Sequence, residues 1–275
     1  MLDLTVDSHV HTAFSTGRDS VNVLVAAAEE AGLREMTLAD RAGPESSWFP
    51  AYLAAIQRAQ QRTNLVLRAG VEVQAISEDG WVAFPEDLTG VEVVSVAIGV
   101  LPLASGPADP VAVRALVDSG SLVVDDVVEM LVTVTAKALE RMGRYAPTRL
   151  ARPLEFLDRM EITEAEIDPA ALAELAEACR RTGTVVEISE RHRTPSAGPA
   201  RAFVDTGVRL TAASDARQAS EIGRWRYVEE VARELAVPRG IGVHEAAEID
   251  AAGNRRSGDR RDGDRRQAVA GARGD

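Results

Sequence analysis

The chain is poor in several residue types that small functional sites are often built from. Its 275 residues include one cysteine (Cys179), one lysine (Lys137) and four histidines. A lone cysteine excludes any disulfide within the chain. Cationic charge is therefore almost all arginine, which reflects coding bias before it reflects function. No apolar run reaches the roughly 18 residues of a membrane-spanning helix. The first strand begins almost at Met1 without a signal-peptide pattern, so the expectation is a soluble, cytoplasmic protein. Basic charge is in short supply too. The net charge is -12, and the segment after Ala251, with seven Arg and four Asp, leaves the remainder near -15. That excludes a general nucleic-acid-binding face, which needs a basic surface. Aromatic residues make up only 4% of the chain, and Trp48, Trp81 and Trp225 read as packing or rim residues rather than as a base-stacking platform.

What is abundant is apolar residues, at 45%, in short runs that alternate with amphipathic stretches. Strands are expected at Leu4–His9, Glu35–Asp40, Leu65–Val73, Val91–Ile98, Thr148–Arg152, Thr184–Ser189 and Val208–Asp215, with a rim hairpin over Gln74–Phe84. Helices are expected at Val21–Ala31, Pro50–Arg62, Pro110–Ser119, Val123–Met142, Pro169–Arg181, Gly198–Thr206 and Ala219–Leu235. Gly99–Asp109, rich in Pro and Gly, reads as loop. Near-continuous apolar strands, each followed by helix or loop, point to an α/β class with a parallel barrel. The expected layout is a barrel over residues 1–250 and a disordered Arg/Asp/Gly-rich tail over 251–275.

In a strand, residues i and i+2 share a side, so His9-x-His11 at the end of strand one presents two imidazoles to one point. Imidazole is the commonest protein metal ligand. Parallel α/β barrels place their active sites at the C-terminal ends of the strands. The polar residues there are Asp7, His9 and His11; Asp40 and Arg41; Glu72; Arg152; Glu187, Glu190, Arg191 and His192; and Asp215 with Arg217. The end of strand four, near Ile98-Gly99, offers nothing ionisable. Two His and two carboxylates at one face suit a divalent ion such as Zn, Mn or Fe.

These motifs together resemble the PHP (polymerase and histidinol phosphatase) family. The resemblance rests on His9-x-His11-Thr with Ser15, Ala39-Asp40, Gly70-Val-Glu72, and Ala213-Ser-Asp215-Ala with Glu221-Ile-Gly223, and it spans about Leu2 to Leu235. It implies a distorted seven-stranded (β/α)7 TIM-like barrel that binds up to three divalent metals and hydrolyses phosphoesters. It also implies a metal site of His9, His11, Glu72 and Asp215, complete here. The family's other two sites need histidines that this chain lacks: Arg41, Arg152 and Arg217 stand at three of those positions, and Ala97-Ile-Gly-Val100 and Thr16-Gly17-Arg18 at the others. One divalent ion is therefore expected.

Arginine stays protonated and does not ligate metals, but its fork matches phosphate and carboxylate. In one reading Arg41, Arg152 and Arg217 bind a substrate phosphate beside an ion that activates water. In the other they pair with Asp40, Glu187 or Asp7 and catalysis is lost. Asp7, Asp40 and Glu187 are expected to support the ligands. The leading function is hydrolysis of a small phosphorylated molecule, with no nucleic-acid or membrane partner. The alternatives are a non-catalytic barrel binding an anion or a protein, and a one-metal hydrolase of a C–N or carboxyl ester bond. His192 and His244 read as solvent-exposed, with a general acid as the alternative role for His192.

Overall fold

A computed structural model of the chain describes residues 2–85 and 87–236. The expected tail, and His244, lie outside the described residues.

Seven parallel strands form a nearly closed barrel of the TIM-like (β/α)7 type. They are β1 (Val6–Val10), β2 (Glu35–Arg41), β3 (Val66–Ala75), β5 (Val93–Ala97), β8 (Thr148–Leu150), β9 (Val185–Ser189) and β10 (Leu210–Ala213), in that spatial order. Helices α1 (Val21–Glu30), α2 (Phe49–Gln60), α3 (Pro110–Asp118), α4 (Val124–Met142), α6 (Pro169–Thr182), α7 (Ala197–Asp205) and α8 (Tyr227–Ala236) cover it. The strand sequences explain the arrangement. Val93-Val-Ser-Val-Ala97 is buried at every position, as expected of a parallel strand covered on both faces. Tyr52 anchors α2: its buried hydroxyl lies 2.7 Å from the carbonyl oxygens of Leu38 and Gly70. At Gly70 an added Cβ would come within 2.9 Å of the Leu38 carbonyl oxygen, so only glycine lets β2 and β3 lie this close beneath the helix.

Side chains help to close the barrel between β10 and β1. The β1–β2 register shifts between Asp7 and Val10, a bulge that alters the regular ladder. Asp7 Oδ1 accepts from the His9 N–H at 3.3 Å and from the Ser214 N–H at 3.0 Å. Ser8 Oγ donates to the Ala212 carbonyl, and the His11 N–H to that of Ala216. Asp7 thus ties the two edges together and holds the backbone that carries the first histidine.

The rim hairpin forms where expected, with β4 (Val82–Ala83) antiparallel to the end of β3. Three expectations need correction. Gly99–Asp109 is not all loop: β6 (Leu101–Leu103) and β7 (Gly106–Ala108) pair as a separate ribbon. Thr148–Arg152 ends as strand at Leu150, and a short α5 (Glu155–Asp158) follows. The last helix is not continuous from Ala219, because a 3-10 turn (Ala219–Glu221) and Gly223 in a left-handed conformation, with φ 67°, precede α8.

Candidate metal centre

His9, His11, Glu72 and Asp215 each offer a ligand atom, and these atoms lie within 4.8 Å of one another. All four residues are at most 2% exposed. Three elements bring them together. The β1 end supplies both imidazoles, with ring centroids 4.9 Å apart. Strand β3 supplies Glu72, which is in register with Arg41 on β2 and Ser95 on β5. The turn after β10 supplies Asp215 in a left-handed backbone, with φ 50°. Asp tolerates that region better than most residues. The loop after His11 folds tightly over its backbone: a Cβ on Gly17 would sit 2.3 Å from the His11 carbonyl oxygen.

His9 Nε2 is 3.2 Å and His11 Nε2 3.6 Å from Glu72 Oε2, and His11 Nε2 is 3.3 Å from Asp215 Oδ1. His9 Nε2, His11 Nε2 and Asp215 Oδ1 are buried without a hydrogen bond. Buried polar atoms are normally satisfied, so three orphans facing one point call for a partner. A coordination shell with bonds of about 2.0–2.2 Å spaces its ligand atoms about 3–3.5 Å apart. The residues present therefore fit a divalent ion.

A second layer holds this set. Glu187 Oε2 lies 2.9 Å from His9 Nδ1, and Ser95 Oγ donates to Glu187 Oε1 at 2.9 Å. A carboxylate on the outer nitrogen fixes the ring and aims Nε2 inward. Burial opposes charge on His9, but Glu187 and Glu72 outweigh it and lift its proton affinity well above the usual value. Asp40 is held by the Thr12 N–H at 3.0 Å and by the hydroxyls of Thr12 and Ser15. It thus pins the loop over His11. Burial pushes the carboxyls of Asp40 and Asp7 up, Asp7 to about 6.

The arginines divide. Arg152 is 6% exposed, and its guanidinium is taken by carboxylates. Nη1 donates to Glu72 Oε2 at 2.8 Å and to Asp215 Oδ2 at 3.1 Å, Nη2 donates to Glu72 Oε1 at 2.9 Å, and Nε lies 3.0 Å from Glu155 Oε2. Arg41 donates through Nε to Glu72 Oε1 at 2.9 Å, but its side chain is 47% exposed. Arg217 is half-buried; its backbone N–H donates to Glu221, and its Nε is buried without a partner. Neither Asp40, Glu187 nor Asp7 forms an ion pair with these arginines among the described residues. Burial raises the carboxyls of Glu72 and Asp215, but Arg152 and His9 on Glu72, and His11 and His192 on Asp215, hold both well below the usual range.

His192 is not the solvent-exposed residue expected from its Glu190-Arg-His-Arg193 setting. Its side chain is 18% exposed, with Nδ1 3.1 Å from Glu155 Oε1 and Nε2 3.2 Å from Asp215 Oδ2. Burial lowers its proton affinity, but these two carboxylates raise it overall. Ser95, Glu155 and Arg149 were also not visible as site residues. Arg149, on β8, lies inside the barrel and donates to the Ser8 carbonyl and Thr37 Oγ1. The only signal for Ser95 was a hydroxyl within a valine-rich buried strand.

Comparison with known proteins adds only remote likenesses. No family model matches the chain, and neither does any curated protein. Among solved structures it is similar to a Bifidobacterium adolescentis protein provisionally described as a metal-dependent phosphoesterase, at 16% identity and a TM-score of 0.34, over 87% of this chain and 98% of that one. It is similar to an HpcH/HpaI aldolase from Desulfitobacterium hafniense at 12% identity and a TM-score of 0.37, over 86% and 95%. It also matches the carboxyl transferase domain of Rhizobium etli pyruvate carboxylase with pyruvate at 13% identity and a TM-score of 0.33, over 85% of this chain but 48% of that one. The chain thus spans about half the length of that last structure. Among the described residues no helix is long and apolar enough to cross a membrane.

Proposed function

We propose that this protein is a metal-dependent phosphoesterase of the PHP type, acting on a small phosphorylated molecule with one divalent ion held by His9, His11, Glu72 and Asp215. The observation that carries this reading is the convergence of three unsatisfied ligand atoms, within a set of four buried donors spaced as a coordination shell requires. The single four-residue cluster among the described residues supports one ion. Glu72, Asp215 and Glu155 face Arg41 and Arg152, three negative charges against two positive, so the arginines alone do not neutralise the carboxylates around the two histidines. When bound, such an ion supplies Lewis acidity and an acidified water.

The chain's own groups have distinct tasks in this reading. Glu187 and Ser95 orient His9. Arg152 stays on Glu72 and Asp215 and fixes both carboxylates. Arg41, engaged through Nε alone and half exposed, is the arginine free to turn its outer nitrogens to a phosphate, and Arg217 is its partner in that role. His192 links Asp215 to solvent.

Burial favours a second reading, a non-catalytic barrel that uses the ion structurally. Every ligand is closed off from solvent, and Arg152 grips Glu72 through two parallel bonds. Loading the protein with Mn or Zn and assaying phosphate release from a panel of small phosphomonoesters separates the two. The catalytic reading expects release that Asp215→Asn abolishes. Release unchanged in that variant, or none from any phosphoester in protein shown to hold its ion, would overturn it. Amine release with phosphoesters untouched would assign C–N hydrolysis instead.

A further inference from the structure

A cleft of about 380 Å3 lies beside the metal centre rather than in it, where the loop after β9 meets the segment leading into α8. Arg191, Arg224, Arg226 and Ser220 line it, together with Glu190 and Glu221. Both carboxylates are already engaged. Glu190 accepts the backbone N–H groups of Arg226, Tyr227 and Val228 at 3.0–3.1 Å. Glu221 accepts from the Arg217 N–H at 2.7 Å and, more weakly, from Gln218 Nε2 at 3.3 Å, and it also holds Arg191. Arg224 and Arg226, by contrast, form no ion pair among the described residues, and both are exposed. Three arginines thus line a concave surface whose two acids are spent on backbone and on Arg191. In a chain of net charge -12 this is a local reversal of sign.

The walls are braced. Glu190 ties the start of α8 to the end of β9. Arg191 is stretched between Glu221 Oε2, at 2.5 Å, and the Asp215 carbonyl oxygen, at 2.8 Å. Ser214 lines the cleft, and the next residue is the ligand Asp215.

We infer that this cleft binds a compact, multiply charged oxyanion of the phosphate class at a site separate from the metal centre. Its volume admits a small organic phosphate, or a phosphate with room left for water. Paired guanidinium forks recognise tetrahedral oxyanions by charge and by geometry. The inference does not depend on the chain being a phosphoesterase.

The test is calorimetric titration of chelator-treated, metal-free full-length protein with inorganic phosphate at constant ionic strength. The expected result is saturable binding that persists in His11→Ala and weakens at least tenfold in the double variant Arg224→Ser/Arg226→Ser. Both arginines are exposed, so that variant keeps the fold, which circular dichroism checks. Absence of binding, binding unchanged by the double variant, or binding lost in His11→Ala would overturn the proposal, the last by returning phosphate to the metal centre. Tighter binding of citrate than of phosphate would overturn the assigned ligand class.

Discussion

Ser95 donates to Glu187, and Glu187 faces His9 Nδ1, so removing this hydroxyl loosens a ligand without touching it. Outer partners of this kind typically matter 10- to 100-fold in metal affinity. Ser95→Ala is expected to weaken Zn or Mn binding by about tenfold and to cost about 1–3 kcal/mol in the metal-free protein, because Glu187 loses a buried donor, while Ser95→Thr restores affinity. Competition titration against a metallochromic chelator measures it, and unchanged affinity would detach Ser95 from the site. Arg152 carries a larger stake. Arg152→Met removes the guanidinium that Glu72, Asp215 and Glu155 share and leaves only Arg41 and the histidines beside them. Breaking a buried pair by removing one partner costs about 3–5 kcal/mol. Urea denaturation of the metal-free variant should show a loss of that order; a loss below about 1 kcal/mol would mean the pairing is incidental. The convergence of His9, His11, Glu72 and Asp215 was legible because strand periodicity puts the two imidazoles on one side and the family resemblance singles out these two carboxylates among the strand-end acids. Ser95 was not, because a serine among valines carries no charge to mark it. His192 was misplaced because its charged neighbours suggested exposure, whereas its ring turns in to meet two carboxylates.

Among the elements, α8 begins under the control of a residue from elsewhere in the chain. Glu190, at the end of β9, accepts three N–H groups at the start of α8, the task that an N-cap side chain ordinarily performs locally. Glu190→Ala is expected to cost about 1–2 kcal/mol and to speed amide exchange at 226–228 more than elsewhere. Exchange unchanged there would mean the cap contributes nothing. A cap supplied from 36 or more residues away has no local signature, so the sequence pattern ran the helix back to Ala219. The β6–β7 ribbon was hidden for another reason. It pairs Pro102 with Pro107, and proline argues against a strand wherever a ladder needs its N–H. The barrel strands were readable because each is a short apolar run bounded by turn residues. Their exact ends were not: β3 runs on past Val73 to Ala75 because the rim hairpin pairs with it.

At the scale of the whole molecule, a tightly packed barrel surrounds a closed polar centre. The lone cysteine reports on that packing. Cys179 on α6 is fully buried, and burial pushes its thiol up to about 12. At pH 8 it stays protonated and shielded, and the thiolate is the reactive form. Native protein should therefore resist iodoacetamide, while urea-unfolded protein takes up one equivalent; rapid native labelling would show that α6 opens. The fold class was legible because alternating strands and helices admit few architectures. The seam was less so, since the part Asp7 plays there depends on a bulge that no periodicity shows.

The account turns on one ion at His9, His11, Glu72 and Asp215, and metal content per chain tests it most directly. Untagged protein, purified without chelator and supplied with Zn or Mn, is measured by elemental analysis beside His9→Ala, with circular dichroism confirming that the variant is folded. The account predicts one ion per wild-type chain and none in the variant. Two or three ions per chain, no ion after loading, or an ion retained in His9→Ala would contradict it.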